Sequence, residues 1–317
     1  MRSYIIRRIL LLIPSVFIVT LVVFFVIRSI PGSLVDIMVS QYDSVTQVNR
    51  QDIEKMLGLD VPTVTQYGRW MSQILLHGNL GNSMVNKLPV IDAIKARWPV
   101  TFELGLLGIL VAQLIALPIG IYSAIRQDSV GDYFARSFAI LCISVPGFWL
   151  ATLVIVFPSM WWGYMPSITL IKFSENPLGN LSMFIIPAIV LGMGMSGQTM
   201  RMTRTMMLEV LRQDYIRTAW SKGLKERVVV IRHALKNALI PIVTIMGYQI
   251  PILIGGTVII ENIFQLPGMG QLTIYAATQR DYTEISSLLL LFTLLIMMVN
   301  LFVDVTYAFL DPRVHYR

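Results

Sequence analysis

The sequence predicts an all-α integral membrane protein with six transmembrane helices and an external helical subdomain after the first of them. Of its 317 residues, 55% are hydrophobic and 14% are charged, whereas about a quarter of the residues are charged in a soluble domain. Spanning the hydrocarbon takes about 20 apolar residues in a helix. Six apolar blocks meet that requirement: 9–27, 101–124, 138–160, 183–200, 238–260 and 285–309.

The first block has an alternative interpretation as the apolar core of a cleaved signal peptide. Arg2, Arg7 and Arg8 precede it, as they would in such a peptide. However, the block is longer than a typical signal core, and no cleavage site of small residues follows the segment 28–31. These two features favour a retained transmembrane helix.

Lysine and arginine residues predict the orientation of the spans, because they concentrate in cytoplasmic loops. The loop 201–237, between the fourth and fifth spans, holds nine of them, whereas the two short outer loops hold only Lys172 and Arg280. We therefore expect both termini in the cytoplasm of a multi-pass cell-membrane protein (the inner membrane in a Gram-negative cell). The net charge of +7 is then a topology signal, and we expect no nucleic-acid partner.

Several classes of chemistry lack the residues that they need. The single cysteine, Cys142, cannot form an intrachain disulfide or a cysteine-ligated metal centre. The sequence contains no phosphate-binding loop, no His-Glu-x-x-His motif and no Gly-x-Ser-x-Gly motif. Glu103 and Asp304 lie near span ends, where capping or snorkelling is the ordinary role of a charged side chain. We therefore expect a non-catalytic chain that binds no metal and no cofactor itself.

The segment 28–100 is too long for a simple turn and mixes polar with apolar residues. Apolar spacing predicts one helix over 46–60, with Gly58 at its C-terminal end, and a second helix over 63–76. This segment is the external subdomain.

Small residues collect in the fourth span and have two interpretations. One is close approach of neighbouring helices, which small side chains permit. The other is a substrate pathway along the same helix, and the sequence favours neither. The residues are Gly192, Gly194, Ser196 and Gly197.

The loop 201–237 is predicted to contain two helices. The first is a short amphipathic helix over 213–224 that ends at a glycine, and the second runs from Glu226 to Ala238 and leads into the fifth span. We expect Tyr215, Ile216 and Trp220 to be exposed. Such a helix could lie on anionic lipid or insert into the groove of a partner protein.

Five segments of this loop and of the rest of the chain form a recognisable series. They are Gln66-Tyr67-Gly68-Arg69-Trp70, Ser144-Val145-Pro146-Gly147-Phe148-Trp149, Gln213-Asp214-Tyr215-Ile216-Arg217-Thr218-Ala219, Arg232-His233-Ala234-Leu235-Lys236-Asn237-Ala238 and Phe264-Gln265-Leu266-Pro267-Gly268-Met269-Gly270. In the order and spacing of these segments, the sequence resembles the permease subunits of ATP-binding-cassette (ABC) importers of the dipeptide, oligopeptide and nickel branch. The resemblance covers essentially the whole chain.

The loop motif of this family departs from its usual form here. Arg217-Thr218-Ala219 replaces the usual Glu-Ala-Ala, although Gly223 keeps the motif glycine. Contacts of the motif glutamate therefore cannot be carried over. The resemblance makes 213–224 the helix that couples to an ATPase. Its residues are Asp214, Tyr215, Ile216, Arg217, Thr218, Ala219, Lys222, Gly223 and Leu224, and the outer-loop motif is Pro267, Gly268 and Gly270.

The resemblance also implies an assembly with the type I ABC importer permease fold. A second, non-identical permease would complete a heterodimer, two cytoplasmic ATPases would hold ATP and magnesium, and an extracytoplasmic binding protein would deliver substrate. The substrate would be a di- or oligopeptide, or else an oligosaccharide, glutathione or nickel. The chain would then divide into three parts. Residues 1–100 would hold the first span and the external subdomain, residues 101–309 the permease domain with the loop 201–237, and residues 310–317 a cytoplasmic tail. The alternative from another class is a six-span secondary transporter or channel.

Overall fold

The computed structural model describes residues 2–29, 35, 51, 54–55, 58–167 and 169–310. Apart from one isolated bridge between Asn82 and Pro89, the regular structure of these residues is helical. Most of the predicted helix 46–60 and all but the first residue of the tail 310–317 lie outside the described residues.

The helices are numbered here in chain order. They are α1 (Arg2–Ser29), α2 (Thr63–His77), α3 (Val90–Ile125), α4 (Val130–Ser144), α5 (Gly147–Trp162), α6 (Pro177–Leu211), α7 (Asp214–Ser221), α8 (Glu226–Val228), a π-helical segment (Val229–Leu235), α9 (Lys236–Ile263), α10 (Met269–Thr278) and α11 (Tyr282–Leu310).

Four helices are long and apolar enough to cross a membrane, and the described residues contain two bent helix pairs that pass the same test. If each bent pair is one span, the chain has six spans, as the sequence predicts. The four single helices are Leu10–Ser29, Val90–Ile125, Pro177–Leu211 and Tyr282–Val303, and the second bent pair joins Glu226–Leu239 to Pro241–Pro251 at 50°.

The predicted span 138–160, which contains Pro146, is divided between two helices. The structure has α4 and α5 there, and they meet at 95°. Val145 is extended, with φ −83° and ψ 120°, because the residue before a proline is pushed away from the helical region. Pro146 also has no N–H to donate, so the chain ends one helix and starts another.

The described residues form two compact units, of which one comprises those within 101–266 and 299–310 and the other those within 2–100 and 267–298. In the first unit, α6 packs against both α4 and α9. In the second unit, α2 packs against α1 through a cluster that contains Phe24 and Trp70. The helix predicted over 63–76 is confirmed as α2, and it ends at Gly78, whose φ of 60° lies in the left-handed region.

Candidate functional site

One face of α6 is packed against its neighbours within the first unit. A Cβ atom at Gly192 would lie 2.7 Å from the carbonyl oxygen of Gly108 on α3, and one at Gly197 would lie 2.6 Å from the carbonyl oxygen of Ala139 on α4. Ser196 is fully buried, and its hydroxyl donates to the carbonyl oxygen of Met193. At these three positions the small side chains therefore permit close packing between helices.

The opposite face of α6 is open and polar. Gly194 differs from its neighbours, because no heavy atom lies within 4 Å of a Cβ built there. Gly194, Gln198, Arg201 and Thr205 are all exposed, whereas Met195, Thr199 and Thr203 between them are buried. The steps of four, three and four residues place these positions on one face of a helix. The small residues of the fourth span therefore have two kinds of surroundings, because three of them are packed and Gly194 is open.

This open face lies along a groove of 460 Å³, to which α4 contributes Ile143 and α9 contributes Ile245. A second cavity of 310 Å³ shares Gly194 and Gln198 with the groove and continues between α5, α6 and α9. Both volumes are in the range of small-molecule sites. Among the described lining residues of the two cavities, Arg201 is the one ionisable side chain.

A buried amide joins α6 to α9 at this site. The Nε2 atom of Gln249 donates to the carbonyl oxygen of Met195 at 3.1 Å and lies 3.1 Å from the hydroxyl of Thr199. Buried polar groups need such partners, because an unpaired one costs about 1–3 kcal/mol. Gln249 therefore fixes the distance between the two helices that line the cavities.

A buried ion pair joins α6 to α4 on the other side. Arg204 donates from Nε and Nη2 to the two carboxylate oxygens of Asp132, at 2.9 and 2.8 Å. The Asp132 side chain is fully buried and also accepts hydrogen bonds from the Ser123 hydroxyl and from the backbone N–H of Asp128. The carboxylate is therefore neutralised and held on several sides.

Asp132 was not among the residues that the sequence predicted as functional. The available signal was the pattern Ser129-x-x-Asp132 before an apolar run, which is typical of a helix start. The structure confirms that start, because the Ser129 side chain accepts from the Asp132 backbone N–H. The partner, Arg204, is 72 residues away, which no local pattern reveals.

The predicted amphipathic helix 213–224 is present as the shorter α7 within the first unit. Lys222 forms its C-terminal cap, and Gly223 follows with a φ of +74°, in the left-handed region. The prediction that Ile216 is exposed was wrong. Ile216 and Ala219 are buried in a hydrophobic cluster, because α7 packs on the helices that flank the loop. The buried cluster contains Ala124, Met207, Ile216, Ala219, Val229, Val230, Ala234, Ala238 and Ile242.

The other face of α7 is exposed. Tyr215 is 45% exposed and Trp220 is 44% exposed, as predicted. Asp214 and Arg217 form an exposed ion pair at 3.4 Å, and Thr218, Lys222 and Leu224 are also exposed. The hydroxyl of Tyr215 accepts a hydrogen bond from Asn237 of α9 at 2.9 Å. This contact orients an aromatic ring that solvent can still reach.

The second helix predicted in the loop differs from the expectation. Helix α8 is followed by seven π-helical residues, Val229–Leu235, and then by α9. A π-helix is wider than an α-helix, is rare, and is found frequently at functional sites. Here it allows Val229, Val230 and Ala234 to enter the cluster beneath α7.

The outer-loop motif lies in the second unit, and the groove lies in the first. Pro267 precedes Gly268, which is the N-terminal cap of α10. Gly268 and Gly270 are buried, and Gly268 has extended backbone, with φ −98° and ψ −176°. The structure therefore places these glycines at a packed helix start.

Comparisons with known proteins cover almost the whole chain. Residues 116–316 match the family model described as binding-protein-dependent transport system inner membrane component, and residues 1–105 match the model of its N-terminal region. An oligopeptide transport system permease protein of Bacillus subtilis is 37% identical over 320 residues. A dipeptide transport system permease protein of Escherichia coli is 35% identical over 340 residues. Both alignments cover 100% of each chain.

A solved structure supports the fold assignment. A chain of the MetNI methionine ABC transporter superposes with a TM-score of 0.56 at 15% identity, over 69% of this chain and 96% of that chain. At this identity the likeness concerns the fold alone, which is that of a type I ABC importer permease.

Proposed function

Since the chain belongs to the family of binding-protein-dependent transport system inner membrane components, we propose that it forms one half of an importer's pathway for di- or oligopeptides. The observation that carries the proposal is the open polar face of α6. Charged and polar side chains of a membrane helix face water, a cavity or protein rather than lipid. A membrane helix with exposed Gln198 and Arg201 therefore needs water or protein along that face.

A second, non-identical permease is the partner that closes the groove. In the single chain, the open face of α6 and the two cavities that it lines lie at the surface. A homologous subunit placed against that surface would convert an open groove into an enclosed pathway. The basic loop 201–237 sets the orientation, with both termini cytoplasmic in the cell membrane.

Two cytoplasmic ABC ATPases, which hold ATP and magnesium, dock on the exposed face of α7. The buried face of α7 shares one hydrophobic cluster with Met207 of α6 and with Ala238 and Ile242 of α9. The same two helices line the groove. A force applied to Tyr215 and Trp220 is therefore transmitted to the pathway through packed side chains rather than through a flexible loop.

The substrate class is drawn from the relatives, which are named as dipeptide and oligopeptide permease proteins. An extracytoplasmic binding protein delivers the peptide to the outer side of the assembly. Oligosaccharide, glutathione and nickel are the alternative cargoes for the same role. Native mass spectrometry of the ligand that the cognate binding protein retains would separate these cargoes.

Reconstitution of the complete complex in proteoliposomes tests the function. We expect peptide uptake that requires ATP and the binding protein and that continues after the ion gradients are dissipated. Uptake that stops with the gradients and persists without ATP would show a secondary transporter instead. The variant Trp220→Ala is expected to weaken the coupling of ATP hydrolysis to uptake, because it removes an exposed aromatic side chain from the proposed docking face.

A further inference from the structure

The Arg201 side chain has no partner among the residues that the structure describes, and it lies on α6 directly after the predicted fourth span 183–200. It is exposed on the wall of the 460 Å³ groove. Its guanidinium makes no hydrogen bond or ion pair with a described residue. Gln198, one turn earlier on the same face, is also exposed and unpartnered within the described part of the chain. The groove therefore presents a set of unused hydrogen-bond donors.

The walls around Arg201 strengthen the effect of its charge. Ile143, Met202 and Ile245 line the same groove, and the described lining contains neither aspartate nor glutamate. Clefts with one sign of charge and low-dielectric walls concentrate the field, and they raise the local concentration of counter-ions. A positive field in this groove attracts anionic groups.

We propose that Arg201 and Gln198 form a subsite for the carboxylate of the transported solute. A guanidinium presents donors in a planar fork that matches a carboxylate in bidentate geometry, and the Gln198 amide supplies another donor. The subsite is open to solvent, so it binds the carboxylate weakly enough for the solute to leave. The proposal rests on the proposed function, and it narrows the substrate class to solutes with a free carboxylate, such as peptides that are not amidated.

Charge-selective labelling tests the field without knowledge of the substrate. The full complex in nanodiscs would carry Cys142→Ser, which removes the sole cysteine, together with Gln198→Cys. The rates of reaction with an anionic and a cationic methanethiosulfonate reagent are then compared. We expect Arg201→Gln to lower the anionic-to-cationic rate ratio about tenfold, because one nearby positive charge is lost.

The matched control is Arg212→Gln, which removes an equal charge from an exposed residue outside the groove lining, and it should leave the ratio unchanged. Arg201→Lys should keep most of the ratio. If the anionic-to-cationic rate ratio is the same in the parent protein and in the Arg201→Gln variant, the subsite is overturned but the pathway is not. If the cysteine introduced at position 198 reacts with neither reagent, this face is not aqueous, and that result would overturn both.

Transport provides the second measurement. Uptake of trialanine and of its C-terminal amide would be compared with the binding protein saturated by each. We expect Arg201→Gln to slow the free acid about tenfold and the amide less than about twofold. An equal slowing of both peptides would contradict the subsite.

Discussion

Arg201 and Arg204 lie one turn apart on α6 and have opposite surroundings. Arg204 makes two hydrogen bonds to the fully buried carboxylate of Asp132. Arg201 faces a groove and has no partner among the described residues. Two arginines on the same helix can therefore have different roles, although they carry the same charge. Arg204 holds two helices together, whereas Arg201 is available to a ligand.

The same division extends along the whole helix. On the packed face, a Cβ atom added at Gly192 or Gly197 would meet the backbone of a neighbouring helix, while one added at Gly194 on the open face would meet nothing within 4 Å. One helix therefore joins a rigid packing surface to an open polar surface. Substitutions on the first surface should change stability, and substitutions on the second should change transport.

The largest predicted effect is at the buried ion pair. Arg204→Gln leaves the Asp132 carboxylate buried and without its main countercharge, so it should lower the free energy of unfolding by about 3–5 kcal/mol. Arg201→Gln, three residues earlier, should change it by less than about 0.5 kcal/mol. Denaturant unfolding of the purified permease complex in detergent measures both. Equal losses for the two variants would remove the distinction between the two arginines.

The next effect concerns the two faces of α7. Ile216→Ala should destabilise the packing of the helix by about 2–5 kcal/mol, because it leaves a cavity in the cluster. The exposed Trp220→Ala should change stability by less than about 1 kcal/mol while it lowers substrate-stimulated ATP hydrolysis. Hydrogen exchange of α7 amides and ATPase rates separate the two results. Strong loss of protection in Trp220→Ala would mean that its ring holds the helix rather than a partner.

Glycine substitutions sharpen the comparison between the faces of α6. Gly192→Ala and Gly197→Ala should each cost about 1–3 kcal/mol, because the added methyl group meets backbone atoms that cannot move aside. Gly194→Ala should be neutral or slightly stabilising, since it has open space and helical backbone. Thermal stability of the three variants in one detergent tests the order. A destabilised Gly194→Ala would show that this position is packed.

The smallest predicted effect is at the end of α7. Gly223→Ala should cost about 1–2 kcal/mol, because its φ of +74° is strained for a residue with a Cβ atom. No atom blocks the added methyl group, so the cost is conformational. Gly255→Ala in α9 is the control, with equal space and no positive φ. If Gly223→Ala lowers coupled ATP hydrolysis by more than its loss of stability explains, the result would support α7 as the coupling element.

The sequence predicted those features that depend on local patterns. Apolar blocks predicted the six spans, and Gly223 predicted the end of α7. A proline marks where a helix breaks but not the direction of the next helix, so the 95° angle at Pro146 comes from the structure alone.

The site was predictable only in part, because its contacts are long-range. Small residues indicated that the fourth span was unusual, but only packing shows that Gly194 is open while Gly192 and Gly197 are closed. Ile216 was assigned to the wrong face, since an eight-residue helix gives too few turns to identify the side that meets the core. The π-helical segment Val229–Leu235 has no pattern that distinguishes it from an α-helix.

Cysteine accessibility along α6 tests the two-faced helix most directly. In the Cys142→Ser background, single cysteines at 194, 198, 201 and 205 would be compared with cysteines at 196, 199 and 203, each treated with a membrane-impermeant thiol reagent in the assembled complex. We predict reaction at the first four positions and protection at the other three. Protection of 198 and 201 together with reaction at 199 and 203 would contradict the account.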